Sequence, residues 1–123
     1  MTDDSFVQKG AAANLAVPFE GEPQDFYFLL LPNTTMLAVA SAIEPLRIAN
    51  QLTKSRLYRW FIMTEDGEPI SCSNGMVITP DQPLQPLPSD SLGFVWAGVE
   101  PHNAASEVTL NWLRRESRFG RSI

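Results

Sequence analysis

One thiol and one imidazole, Cys72 and His102, are the only cysteine and the only histidine in the chain. A single cysteine closes no intrachain disulfide and builds no cysteine-based metal site. A single histidine likewise excludes a multi-histidine site, so no metal and no cofactor is expected. Cys72 lies between Ser71 and Ser73 in a short extended stretch, not on a strand-to-helix elbow. There it reads as a buried or incidental thiol rather than a nucleophile. His102 follows Pro101 in a loop, beside a helix cap, and nothing in the sequence pairs it with a nucleophile. No glycine-rich phosphate loop of either standard spacing occurs.

What remains is backbone chemistry at strand ends. In an open α/β sheet, ligands bind beyond the carboxyl ends of the strands, near the point where strand order reverses. Two such ends are predicted, Asn33-Thr34 after Pro32 and Ala97-Gly98-Val99. The N–H groups of Gly98 and Val99 can face an anion or oxyanion. Gly98 has no side chain to hold another group away; a plain turn glycine is the competing reading. His102 lies just beyond, so the candidate binding residues are Asn33, Thr34, Ala97, Gly98, Val99 and His102.

The elements that must position these residues follow from periodicity. Phe26 to Leu31 is apolar at every position, which suits a central strand covered on both faces. Pro32 ends it, and Asn33, Thr34 and Thr35 offer N-cap oxygens. From Met36 the period becomes helical, with Met36, Val39, Ile43 and Leu46 on one stripe and the helix running to Thr53. Pro45 removes a helical hydrogen bond and crowds the Ser41 carbonyl. Beside it, Glu44 and Arg47 are spaced to pair. Glu44, Pro45 and Arg47 therefore read either as a structural kink with a surface ion pair or as a dimer or ligand contact.

Residues 54–57 return the chain to a second strand, Tyr58 to Glu65, and a parallel right-handed crossover is expected. Asp66-Gly67 predicts a hairpin, with Ile70 to Ser73 pairing back. Asn74-Gly75 predicts a second turn before Met76 to Ile78, so a small antiparallel ribbon is expected. Pro80, Pro83, Pro86 and Pro88 forbid a helix or a central strand in residues 79–91, with Leu84 and Leu87 as anchors. Gly93 to Ala97 is a third core strand. Asn103 is the expected N-cap of a helix from Ala104 to about Arg118, with Ala105, Val108, Trp112, Leu113 and Phe119 buried. Arg121-Ser122-Ile123 looks like the lead-in to another strand. Residues 1–24, rich in Ala, Gly, Pro and acids, are expected to form a flexible N-terminal arm ahead of a domain over 25–123.

The chain has 123 residues, enough for one domain, with 44% hydrophobic and 19% charged residues. A net charge of −5 argues against unaided binding to a phosphate backbone. The longest apolar runs are far too short to cross a membrane, and no signal peptide opens the chain. One cysteine and no export signal point to the reducing cytoplasm.

Phe28-Leu29-Leu30-Leu31-Pro32, then Ala42-Ile43-Glu44-Pro45-Leu46-Arg47-Ile48-Ala49-Asn50, resemble the amino-terminal domain of GlxA-type regulators of the AraC family. Tyr58-Arg59-Trp60, Asp66-Gly67-Glu68-Pro69-Ile70, Cys72-Ser73-Asn74-Gly75 and Trp112-Leu113-Arg114 continue the resemblance. It covers roughly residues 26–123. That domain is PfpI-like, within the class I glutamine amidotransferase-like superfamily. The resemblance implies a partial flavodoxin-like α/β three-layer sandwich, with a mainly parallel sheet and a small antiparallel ribbon.

It also implies a homodimer that senses a small-molecule effector, either a quaternary amine such as glycine betaine or carnitine, or an amino acid such as arginine. DNA would be bound only through a carboxyl-terminal helix-turn-helix domain that is not in these residues. Enzymes of the superfamily carry a glutamate early in the first helix, where alignment places Ala38, and their elbow would follow Ile123. The expectation is therefore a non-catalytic sensing and dimerisation portion, not an enzyme. Ala38 joins the ligand-binding candidates, and Glu44, Pro45 and Arg47 become dimer-interface candidates. A PfpI-like amidase or hydrolase fragment is the alternative, and a standalone interaction domain the blander one. Trp60 and Trp96 are candidates by type to line a quaternary-amine pocket through cation–π contact.

Overall fold

The computed structural model describes residues 18–98 and 105–123. Four parallel strands form the sheet. In chain order the elements are β1 (Gln24–Leu30), α1 (Met36–Thr53), β2 (Tyr58–Thr64), β3 (Ile70–Ser71), β4 (Val77–Ile78), β5 (Gln82–Pro83), β6 (Leu92–Trp96) and α2 (Glu107–Arg118). The sheet order is β5-β2-β1-β6, and β3 and β4 form a separate antiparallel pair. Strand order therefore reverses around β1.

The continuous apolar run of β1 is explained by its two covered faces. Leu29 and Leu31 meet Met63, Leu87 and Trp112 on the side of α2. Phe28 and Leu30 meet Val39 on the side of α1, with Ile43 and Leu46 packed against them. Helix, sheet and helix make the three-layer α/β sandwich. Strand β1 opens earlier than the apolar run suggests, at Gln24. Its N–H donates to the Leu57 carbonyl at 3.0 Å, and its side chain donates to the Asp90 carbonyl at 2.9 Å. The rest of the expected arm lies largely outside the described residues.

Helix α1 runs through Pro45 without a break. Ser41 and Pro45 are both exposed, so the carbonyl that loses its partner faces water. The expected N-cap chemistry is not used. Thr35 occupies the cap position without a side-chain bond, and Thr34 is fully buried with its hydroxyl unpartnered. At the other end Lys54 turns left-handed, at φ 54°. Asn50 then ties the helix to β2. Its Oδ1 accepts from Leu57 N–H (2.9 Å) and Tyr58 N–H (3.1 Å), and its Nδ2 donates to the Tyr58 carbonyl (2.9 Å).

Three expectations change. The Asp66-Gly67 turn does not fold β3 back onto β2; among the described residues β3 pairs with β4, through Ile70–Ile78 and Ser71–Val77. The proline-rich stretch contributes an edge strand, β5, whose Gln82 and Pro83 align with Met63 and Thr64 of β2. An edge tolerates proline because its missing N–H faces away from the ladder. And α2 starts at Glu107 with Ser106 as N-cap, whose hydroxyl accepts from Val108 N–H. Asn103 and Ala104, the expected start, lie outside the described residues.

The buried stripe of α2 also differs. Val108 is 58% and Phe119 65% exposed, whereas Thr109, Trp112 and Glu116 are buried. Three bonds link the far half of α2, and Arg121 beyond it, to residues 85–87. Trp112 Nε1 donates to the Gln85 carbonyl (2.8 Å), Leu87 N–H donates to Glu116 Oε1 (3.1 Å), and Arg121 Nε donates to the Leu87 carbonyl (3.0 Å). The helix and the turn after it thus bind the backbone of residues 85–87, which follow the short edge strand β5. Beyond Gly120 (φ 73°), Ser122 sits parallel to Leu92, and its carbonyl accepts from Gly93 N–H at 2.8 Å.

Removing the Glu116 acceptor strands the buried Leu87 N–H. Glu116→Ala is expected to lower unfolding free energy by about 1–3 kcal/mol, and Glu116→Gln, which keeps an acceptor, by less. Urea denaturation of the two variants checks the order; equal losses would contradict it.

Candidate functional site

The carboxyl ends of β1 and β6 meet in one tight contact. Leu31 N–H donates to the Trp96 carbonyl at 3.0 Å, and Thr34 pairs with Gly98 in an isolated antiparallel bridge. A Cβ on Gly98 would lie 1.9 Å from the Asn33 carbonyl oxygen and 3.0 Å from the Thr34 Cα. Glycine is required here by proximity, not by torsion.

Asn33 itself is left-handed at φ 64°, a conformation that asparagine tolerates better than most residues. The turn is also bonded to the ribbon. Asn33 N–H donates to the Ser71 carbonyl (2.9 Å), and Ser73 N–H donates to the Thr34 carbonyl (3.0 Å). The Asn33-Thr34 turn is therefore clamped between Gly98 on one side and the ribbon on the other.

Open space lies on the other side of β1. A cleft of about 500 Å³ extends over the ends of β1 and β2, with Asn33, Glu65, Asp66, Pro69 and Ser71 on its walls and Val108 of α2 at its rim. That volume falls within the range of small-molecule sites. Two carboxylates make the cleft acidic. Asp66 accepts from Glu68 N–H at 3.0 Å, which shapes the turn. Glu65 Oε1 accepts from Ser106 N–H (3.2 Å), from the Ser106 hydroxyl (2.8 Å) and, in a short contact, from the Thr109 hydroxyl.

The candidate residues thus divide. Asn33, Thr34 and Gly98 come together, but as a closed bridge, and of these only Asn33 lines the cleft. Ala97 packs into the cluster around Leu29 and Trp112. Ala38 is half-buried in the first turn of α1, away from the cleft lining. Val99 and His102 lie outside the described residues. Trp60 and Trp96 pack on the α1 face against Phe28, Leu30 and Val39, not in the cleft. Cys72, just past β3 in the ribbon, is buried, and burial pushes its thiol pKa up, which opposes the thiolate that nucleophilic chemistry needs. Among the described residues, no group of three or more His, Cys, Asp or Glu side chains is placed to hold a metal.

Glu65 was not anticipated. It reads in sequence as the last residue of a strand, and the one available signal is an ionisable residue at the carboxyl end of a parallel strand. On α1, Arg47 Nε donates to Glu44 Oε2 at 2.8 Å, and Arg47 Nη1 donates to Gln51 Oε1 at 2.9 Å. The guanidinium holds the Glu44 carboxyl below its usual range. Glu44, Pro45 and Arg47 face outward beside two exposed apolar residues, Leu37 (76%) and Ile48 (41%).

No family model matches the chain. It is 45% identical over 97 residues to the HTH-type transcriptional regulator CdhR of Pseudomonas aeruginosa, covering 79% of this chain and 29% of that protein. It is 38% identical over 106 residues to the regulator GbdR of the same species (86% and 29%), and 35% identical over 94 residues to the regulator GlxA of Rhizobium meliloti (76% and 29%). The chain therefore spans about 29% of the length of these curated relatives.

In fold it is similar to an AraC family transcriptional regulator from Pseudomonas putida, with TM-score 0.69, 18% identity, and coverage of 80% of this chain and 61% of that one. It is also similar to a DJ-1 superfamily protein from Agrobacterium tumefaciens, with TM-score 0.55, 19% identity, and coverage of 80% and 50%. No helix among the described residues is long and apolar enough to cross a membrane.

The contact at Gly98 yields a direct test. Gly98→Ala forces the Asn33 carbonyl away and is expected to cost roughly 2–3 kcal/mol of stability. Chemical denaturation measures it; a cost below about 0.5 kcal/mol would mean that the two turns are not held together as described.

Proposed function

We propose that this chain, which belongs with the GlxA-type transcriptional regulators of the AraC family and has their PfpI-like fold, is part of the effector-sensing and dimerisation domain of such a regulator. Residues 25–123 are the amino-terminal part of the sensory domain. DNA contact is the task of a helix-turn-helix domain elsewhere in the whole protein, which acts in the cytoplasm. The role is binding rather than catalysis.

The observation that carries this reading is the acidic cleft at the ends of β1 and β2, found in a chain 45% identical to a transcriptional regulator. Its carboxylates suit a cation. Resemblance allows a quaternary amine or an amino acid, and the lining favours the second. A quaternary ammonium has no N–H to give a carboxylate and is normally held by aromatic faces. Among the described lining residues none is aromatic. Arginine, with five N–H donors, uses Asp66, Glu65 and the Asn33 side-chain carbonyl more fully.

Thermal-shift and calorimetric titration with arginine, carnitine and glycine betaine test the reading. Asp66→Asn is expected to weaken binding of the responding amine about tenfold. No response to any of the three would remove the effector reading. Release of ammonia from an amide by the whole protein, abolished by changing its elbow residue, would favour the PfpI-like amidase instead.

The second reading concerns self-association. The outward face of α1 carries Leu37, Glu44, Pro45, Arg47 and Ile48, an apolar and charged surface suited to a second copy. Glu44→Ala or Arg47→Ala is expected to weaken dimerisation more than folding, because the pair is exposed and contributes little to the monomer. Sedimentation of the variants decides: unchanged association with a large fall in melting temperature would contradict the assignment.

A further inference from the structure

Glu65 belongs to two structures at once. It is the first residue past β2 and lines the cleft. Its Oε1 is also the common acceptor for three donors at the start of α2: Ser106 N–H, the Ser106 hydroxyl and the Thr109 hydroxyl. Thr109 is fully buried, so its hydroxyl has no access to water as a substitute partner. Ser106 is in turn the N-cap, taking Val108 N–H on its hydroxyl and Leu110 N–H on its carbonyl. Val108, from the same first turn, also lines the cleft.

We propose that Glu65 is a positioning residue that couples occupancy of the cleft to the first turn of α2. The proposal rests on the effector reading above. A cation bound beside Asp66 draws the Glu65 carboxylate toward itself. All three helix donors converge on one oxygen, so any rotation of that carboxylate disturbs them together. The helix turn then loosens or shifts, and the change passes along α2 to its far end. There Arg121 holds the Leu87 carbonyl and Ser122 lies against β6. A ligand shifts such an equilibrium only by its difference in affinity for the two arrangements. Contact with both Glu65 and Val108 provides that difference.

The experiment is amide hydrogen exchange followed by NMR on the 123-residue chain, with Val108 and Leu110 as reporters of the first turn and Leu29 as the core control. Without ligand, Glu65→Ala is expected to speed exchange at Val108 and Leu110 about tenfold relative to Leu29, the effect of losing a charge-assisted hydrogen bond. Glu65→Gln keeps an acceptor for the helix and guards against a misfolded alanine variant; its smaller loosening is the expected result. With saturating arginine, the wild-type chain should show altered exchange at Val108 and Leu110, and both variants should lose that response.

If arginine, carnitine or glycine betaine shifts the Asn33 and Asp66 resonances while α2 exchange stays unchanged, the coupling is wrong and the effector reading stands. If none of them shifts those resonances, the effector reading fails and the coupling with it. Equal exchange in wild type and Glu65→Ala overturns the positioning role directly.

Discussion

The carboxyl edge of this sheet depends on one close approach, between the Gly98 backbone and the Asn33 carbonyl. A methyl group at Gly98 would sit 1.9 Å from that oxygen, so no other residue fits without moving one of the two turns. The contact locks the end of β6 to the turn after β1. The same turn is bonded to Ser71 and Ser73 of the ribbon. Three segments far apart in sequence are thereby fixed around one left-handed asparagine. Among the described residues, the β1–β6 side is closed and the cleft opens on the β1–β2 side. The rule that ligands bind where strand order reverses points to β1, but does not say which flank is open.

That distinction marks the limit of what was legible in the sequence. Phe26–Leu31 and the stripe Met36, Val39, Ile43, Leu46 announce a covered strand and its helix, because burial on both faces and on one stripe leave different periods. The parallel, mainly α/β architecture follows from them. The polar contacts were not legible. Thr109 and Glu116 look like surface residues, since nothing in sequence shows that Glu65 and the Leu87 N–H will meet them. Val108 and Phe119 were expected inside for the converse reason: apolar type implies burial only when an element lies opposite. Asn50, within the motif that carries the resemblance, proves to be a hydrogen-bonding staple between α1 and β2. Part of that motif is therefore architecture. The candidate site was legible only in part: Asn33 was found from its place after a strand, whereas Glu65 and Asp66 were read as strand end and turn.

The two helices that cover the sheet are held by different physics. Helix α1 is seated mainly by apolar contact with Phe28 and Leu30, a non-directional force proportional to buried area, with the Asn50 side chain tying its end to β2. Helix α2 has Trp112 and Leu113 as apolar anchors, but its buried stripe also contains a threonine and a glutamate. Such groups are tolerable only while each keeps its partner, because an unpaired buried polar group costs more than the bond contributes when made. Apolar packing resists small displacements evenly. A polar dock is stiff until a partner moves and then gives way sharply. The acidic cleft adjoins the polar dock through Glu65 and Val108, and meets the apolar cluster under α1 through Leu30 and Ile70. In the proposed coupling, charge entering the cleft acts through Glu65 on the helix whose buried polar groups depend on their partners.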